Sequence, residues 1–356
     1  MNREIEAIAT IVGTIVGGGI LALPFILFKV GILAFIITLI LGAFSSFLVT
    51  SYVAELSYSQ KKIAQLPSLV SKFLGKKYKF LVLLIEEIAV AGALLSYFAG
   101  ISSVLPINHI VIYAILAIIS IIISYGNFLA LEKSETYILI IKLLLIVLIS
   151  LLVFRIPKFS AFNSKFIFLA LGVSIFAFTS NSVVPEVREE LGSPKSFNKV
   201  LFISYIISFL IYILFSFAFY GYLGNKVGEV ATTNLIGYLY YFGIVFTIFL
   251  LLTPLMTLSL VFADVLTLDF KIDRKITAFL SGIIPFLLAI FFNRFAYIIS
   301  IIGGVFISLL SLFIIIALMK ERKVSKSEYR APFGIIGVLI SFLVFLIAIF
   351  LSFYEV

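Results

Sequence analysis

Residues 13–25 read Gly-Thr-Ile-Val-Gly-Gly-Gly-Ile-Leu-Ala-Leu-Pro-Phe and sit inside an apolar run that extends from about residue 5 to 29. The run is long enough to cross a bilayer as one helix, yet its middle resists helix formation. Each of Gly17, Gly18 and Gly19 costs about 1 kcal/mol relative to alanine in a helix interior. Pro24 lacks the backbone donor that would bond the carbonyl of residue 20 and crowds that carbonyl. Unwound backbone at membrane depth is tolerated only where it lines a cavity or is buried in protein. Its free N–H groups, with the positive end of the half-helix that follows, attract a carboxylate. Gly13 and Gly17 also form a small-xxx-small pair of the kind that brings two helices close, so the motif alone is equally a packing device.

The surrounding chain makes the membrane reading firm. Of 356 residues, 63% are apolar and 12% charged, and apolar stretches of about 20 residues recur along the sequence. The runs are continuous rather than alternating, which excludes a β-barrel. The class is an all-α integral membrane protein. The first run is too long for a signal peptide and lacks a small-residue cleavage site, so it is read as retained. There is no cysteine and only one histidine, His109, which leaves no metal centre and no thiol chemistry. The net charge of +9 lies in short loops, where it sets orientation and gives no nucleic-acid surface.

Eleven spans are expected, near 5–29, 31–57, 81–105, 109–126, 134–155, 164–191, 197–223, 232–263, 275–292, 295–319 and 332–353. With the N-terminus cytoplasmic, the inner loops hold 19 Lys and Arg residues and the outer loops 6, which satisfies the positive-inside rule. The inner set includes the cluster Lys61–Lys79 together with Lys133 and Lys326, the outer set includes Lys158, and Val356 falls outside. The 58–80 loop is expected to hold a short interfacial helix.

The sixth span carries a second interruption, Ser-Ile-Phe-Ala-Phe-Thr-Ser-Asn-Ser-Val-Val-Pro at 174–185. An offset of 161 places Pro185 on Pro24 and Thr179-Ser180 on Gly18-Gly19. The two spans run in opposite directions. Matched interruptions five spans apart with reversed direction are the mark of an inverted repeat. The expected organisation is one transporter domain, 1–356, with repeats over 1–155 and 164–319 and an additional helix over 332–353. The match favours binding over mere packing at both interruptions, and the side chains of Thr179, Ser180, Asn181 and Ser182 suit an ammonium group or freed backbone.

These stretches resemble a known family. GTIVGGGILALPF (13–25) and FAFTSNSVVPEVREEL (176–191) resemble the first and sixth spans of the amino acid/auxin permease family, within the amino acid–polyamine–organocation superfamily. YILIIKLLLIVLI (137–149) resembles the fifth span of that superfamily's proton-coupled members. The resemblance implies a leucine-transporter-type fold of five plus five helices and one more, with helices one and six broken. It implies a substrate carboxylate at Gly17, Gly18 and Gly19, and an aromatic cover at Phe178 beside Thr179, Ser180 and Asn181. Many family members carry histidine where this chain has Asn181.

Lys142 lies about eight residues into the fifth span among apolar neighbours. A lysine at a helix centre costs roughly 2.5–3.5 kcal/mol on insertion scales. Snorkelling to the interface is the bland alternative. Burial disfavours the charged form of a lysine, so Lys142 is the candidate proton-coupling group, and by resemblance its ammonium stands where sodium-coupled relatives hold their ion. Thr253, Thr257 and Ser259 in the eighth span are the rival, a set of hydroxyls for sodium. Glu86, Glu87 and Glu186 are candidate gate or pathway carboxylates, with interfacial solvation the alternative for the first two; Glu190 is read as closing the sixth span's half-helix. Asp264, Asp269 and Asp273 are read as a solvated loop. Tyr97 is within reach of the site or simply packing.

The function expected is secondary active, proton-coupled symport of an amino acid by alternating access, in the cell (inner) membrane of a prokaryote. Phe25, Phe176 and Phe178 point to a neutral or aromatic substrate, while Glu186 leaves a cationic one open. A sodium-coupled transporter is the first alternative and an ion channel the alternative of another class. No cofactor is expected. An enzyme is disfavoured because the chain has no Walker sequence, no His-Glu-x-x-His and no Gly-x-Ser-x-Gly.

Overall fold

In the computed structural model, residues 3–126, 135–157, 162–268, 270–325 and 327–354 are described. Lys133, Lys158, Asp269 and Lys326 lie outside them. Every regular element among the described residues is helical. Helix α1 (Arg3–Ile15) leads through a 3-10 turn, Gly18–Ala22, into α2 (Leu23–Val30). Then come α3 (Ile32–Tyr58), α4 (Leu66–Leu74), α5 (Lys76–Val104), α6 (His109–Gly126) and α7 (Glu135–Val153). Helices α8 (Ile167–Ala177) and α9 (Val184–Leu191) flank a short 3-10 turn, Asn181–Val183. The chain continues through α10 (Phe197–Leu223), α11 (Tyr238–Leu268), α12 (Arg274–Phe291) and α13 (Phe295–Ile301), which passes by a π-helical turn into α14 (Ser308–Val324), and ends in α15 (Gly334–Tyr354).

Nine of these segments are long and apolar enough to cross a membrane. The pair Arg3–Ile15 and Gly18–Val30, bent by 46°, makes a tenth if it is taken as one span, and Ile138–Val153 is a shorter apolar helix. Apolar side chains such as Leu144, Leu151 and Phe350 stay exposed on the helix surfaces. Water would oppose that arrangement and lipid favours it.

The eighth helix starts at Tyr238 rather than near 232. Residues 227–237 are instead an irregular segment that turns inward, with Val227, Val230, Ala231, Thr232 and Leu235 buried. Side chains satisfy its backbone: Thr233 Oγ1 donates to Val230 O at 2.9 Å and Asn234 Nδ2 to Lys226 O at 2.6 Å. Local polar chemistry of this kind competes with helix formation. In the 58–80 loop, α4 buries Leu66, Leu69, Val70 and Leu74 and leaves Lys61, Lys62, Lys72, Lys76 and Lys77 exposed.

The core is built around α8. A methyl on Gly172 would lie 2.3 Å from Ser300 O, one on Gly303 2.0 Å from Gly172 O, and one on Gly42 2.6 Å from Ser174 Cβ. Three glycines thus let α8 touch α3 on one side and the α13–α14 region on the other, backbone to backbone.

Candidate functional site

The first interruption has a definite shape. Val16 N–H still donates to Val12 O at 2.8 Å, but Gly17 N–H turns back to Ile15 O at 2.8 Å. Ordinary helical bonding stops there. The next shared bond is Ile20 N–H to Gly17 O, at 3.4 Å. Pro24 then sits in the first turn of α2, where its missing donor costs nothing.

The three glycines differ in their surroundings. A methyl on Gly18 would come within 2.7 Å of Tyr97 Cε1 and 2.8 Å of Leu251 Cδ2. One on Gly19 would come within 2.9 Å of Ala177 Cβ and 3.4 Å of Phe176 Cδ1. At Gly17 the nearest atom to the added carbon is Thr14 O, at 3.8 Å. Gly18 and Gly19 are therefore close-packing positions, and Gly17 alone has room beside it. Thr14 and Ser182 are exposed and Thr179 half-buried.

The two interruptions meet. Besides the Gly19–Ala177 approach, the Tyr212 hydroxyl on α10 reaches the carbonyl oxygens of both Ile15 and Ala177, the second at 2.8 Å. Tyr205, two turns earlier on the same helix, donates to Phe178 O at 3.0 Å. Thr50 of α3 donates to Asn181 Oδ1 at 2.9 Å. With those two protons spent, the Ser180 hydroxyl is the donor toward Tyr205 at 3.0 Å or Thr50 at 3.1 Å. Thr179 Oγ1 donates to Ile175 O at 2.8 Å.

These bonds fix the direction of several side chains. Phe178 is fully buried and packs on α10, with ring centroids 6.0 Å from Tyr205, 6.3 Å from Phe209 and 5.0 Å from Tyr212. Ser180 and Asn181 are likewise buried and turned toward α3 and α10. Phe176 is half-buried beside Gly19. Tyr97 packs on Gly18.

Lys142 is 8% exposed. It belongs to a stripe of buried residues on α7 with Leu139, Ile146, Ile149 and Val153, spaced three and four apart along one helix face. Leu139 lies at the position a methyl on Gly13 would meet, 3.5 Å away, so this face of α7 is turned to α1. Of the three gate candidates, Glu87 is buried and Glu86 half-buried on α5, while Glu186 is exposed on α9. The hydroxyls of Thr253, Thr257 and Ser259 each donate to a carbonyl of their own helix, and Ser259 O accepts from Ser124 of α6. Asp264 pairs with Arg274, and Asp273 caps α12 by accepting from Lys275 N–H at 2.8 Å.

Above and below the interruptions, the molecule is held in two ways. The irregular segment 227–237 donates Ala231 N–H to Leu21 O at 3.0 Å, directly onto the 3-10 turn. It is fastened by Glu229, which accepts from Arg294 Nε at 2.9 Å and from Ala296 N–H at 3.1 Å. At the other end, Glu55 is fully buried and accepts two bonds from Arg322, at 2.9 and 2.8 Å, one from Arg330 at 2.5 Å and one from Ala331 N–H at 2.8 Å. Arg188 of α9 donates to Ser57 O at 2.5 Å and Gln60 O at 2.8 Å, and its guanidinium lies 4.9 Å from the Tyr58 ring centroid. Burial pushes the Tyr329 phenol in the adjoining loop well above its usual range.

Sequence reading alone did not single out Thr50, Glu55, Tyr205 or Tyr212. The seven-residue spacing of the two tyrosines puts them on one face of α10, but they are two among 17 tyrosines.

Comparison with known proteins agrees with this architecture. Among solved structures, the crystal structure of MhsT in complex with L-phenylalanine is similar, with a TM-score of 0.65 at 17% identity, covering 99% of this chain and 98% of that one. At that identity the likeness concerns the fold. No curated protein matches the chain. The sequence profile of the family described as transmembrane amino acid transporter protein matches residues 4–356, essentially the whole length, and the chain belongs to that family.

Proposed function

We propose that the chain is a secondary active transporter that carries a neutral or aromatic amino acid with a proton by alternating access. It has no enzymatic step in this reading. The observation that carries it is the meeting of two helix interruptions at one place, where a methyl added to Gly17 would meet nothing closer than Thr14 O at 3.8 Å. In this reading α1–α2 and α8–α9 are the broken first and sixth of eleven spans in a leucine-transporter-type inverted repeat. The N-terminus is cytoplasmic, in the cell membrane of a prokaryote.

The substrate carboxylate lies over Gly17, at the N-terminal pole of the 3-10 turn, where backbone N–H groups and the local dipole favour negative charge. Its ammonium faces the Thr179 side. Gly18 and Gly19 contribute backbone, but the close approach of Tyr97, Leu251 and Ala177 leaves no room for ligand at their α-carbons. Phe176 supplies the apolar wall. The 227–237 segment, with Val227, Val230, Ala231, Thr232 and Leu235 buried, closes one side of the site in this reading, while Thr14, Ser182 and Glu186 are exposed on the other. That asymmetry supports an inward-facing arrangement with Glu186 along the exit path.

Proton coupling is assigned to Lys142. Its burial on the α7 face turned to α1 supports the assignment, because protonation there changes the charge beside a moving half-helix. The test is purified protein in liposomes, given labelled amino acids under a proton gradient or a sodium gradient applied separately. Saturable uptake driven by the proton gradient supports the reading. No amino acid uptake under either gradient sinks it.

A further inference from the structure

Helices α1 and α8 both end at the interruptions, at Ile15 and Ala177. The last carbonyls of a helix have no partner within it, and its C-terminal pole carries the equivalent of about half a negative charge. Here two such poles converge in the buried centre of the molecule. Converging carbonyls of discontinuous membrane helices are a place for a cation. In this chain the positive ends of two O–H bonds are supplied there instead.

The Tyr212 hydroxyl reaches Ile15 O and Ala177 O, the terminal carbonyls of the two half-helices. The Tyr205 hydroxyl donates to Phe178 O, the next carbonyl along. Their spacing of seven residues is two helical turns, so both project from one face of α10. Both rings pack on Phe178, and Tyr205 is held further by Ser180 and Thr50. Unlike a bound ion, these donors cannot dissociate.

We propose that Tyr212 and Tyr205 are positioning residues that take the place of a coupling cation at the converging helix ends, so that substrate binding requires no sodium ion. The proposal rests on the reading that the interruptions bind the amino acid, and adds how their carbonyls are held.

Tyr212→Phe and Tyr205→Phe remove one oxygen each and keep the ring. Neutral amino acid uptake is measured in liposomes under a proton gradient with sodium chloride or choline chloride, and the melting temperature of the detergent-solubilised proteins is measured in the same two salts. Wild type is expected to show the same KM and the same melting temperature in both. In choline, Tyr212→Phe is expected to raise KM about tenfold, the size of one lost buried hydrogen bond. Sodium is expected to reverse at least threefold of that loss and to raise the variant's melting temperature, as a ligand that binds only the folded state does. Tyr205→Phe carries the same sodium test should Tyr212→Phe not fold.

Uptake by wild type that depends on sodium overturns the proposal. So does a pair of variants with wild-type KM, or a raised KM with no response to sodium in either readout, which is what a purely structural role gives. Absence of uptake by wild type counts against the transporter reading instead, and a sodium-dependent melting shift confined to the variants still supports the tyrosine cap.

Discussion

At the glycine turn, single residues separate packing from the proposed binding. A methyl at Gly17 meets nothing closer than 3.8 Å, so Gly17→Ala is expected to fold with a melting temperature close to wild type and to lose amino acid uptake at least tenfold. Gly18→Ala and Gly19→Ala force contacts under 3 Å with Tyr97, Leu251 and Ala177, and overpacking of this kind costs about 1–3 kcal/mol, seen as a lower melting temperature in detergent. Wild-type uptake by Gly17→Ala would move the carboxylate away from this turn. At Lys142, substitution by alanine is expected to leave substrate binding measurable while uptake stops following the pH gradient. Uptake that tracks the gradient as wild type does would remove Lys142 from the coupling step.

Whole elements bear on the proposed access pathway. The irregular 227–237 segment is held on the 3-10 turn by Ala231 and fastened by Glu229 to Arg294 and the first turn of α13. Arg294 is 59% exposed, so the ion pair itself contributes well under about 1 kcal/mol, and Glu229→Gln is expected to change the accessibility of the segment rather than the stability of the protein. The chain has no cysteine, which makes single-cysteine labelling direct. Thr14→Cys and Ser182→Cys are expected to react with an impermeant maleimide from the face that bears Lys61–Lys79, and Val230→Cys to be protected until Glu229 is replaced. Labelling of Thr14→Cys only from the opposite face would overturn the inward-facing arrangement.

Across the whole molecule, Glu55 ties the end of α3 to α14 and to the loop before α15 through Arg322, Arg330 and Ala331 N–H. Removing a buried carboxylate leaves its partners uncompensated. Because Arg322 and Arg330 are 23% and 47% exposed, solvent recovers part of the loss, and Glu55→Ala is expected to cost about 2 kcal/mol, read as a lower melting temperature. Much of this architecture was legible beforehand. Helical class and the approximate spans follow from runs of apolar residues, and the positions of both interruptions follow from Gly17–Gly19, Pro24 and Pro185, because backbone propensity and hydropathy act over a few residues. The irregular 227–237 segment was not legible, since its apolar residues read as the start of a span and its turns depend on local side-chain bonds. Side-chain direction at the site was not legible either. Ser180, Asn181 and Phe178 face α3 and α10 because Thr50, Tyr205 and Tyr212 meet them there, across separations of 25 to 131 residues. The sequence by itself determined that this chain is a membrane helical bundle, and it marked where helix stops near Gly17 and near Thr179. Only the tertiary structure decided that one tyrosine holds both of them, because that depends on how each helix is rotated about its axis against neighbours distant in the chain.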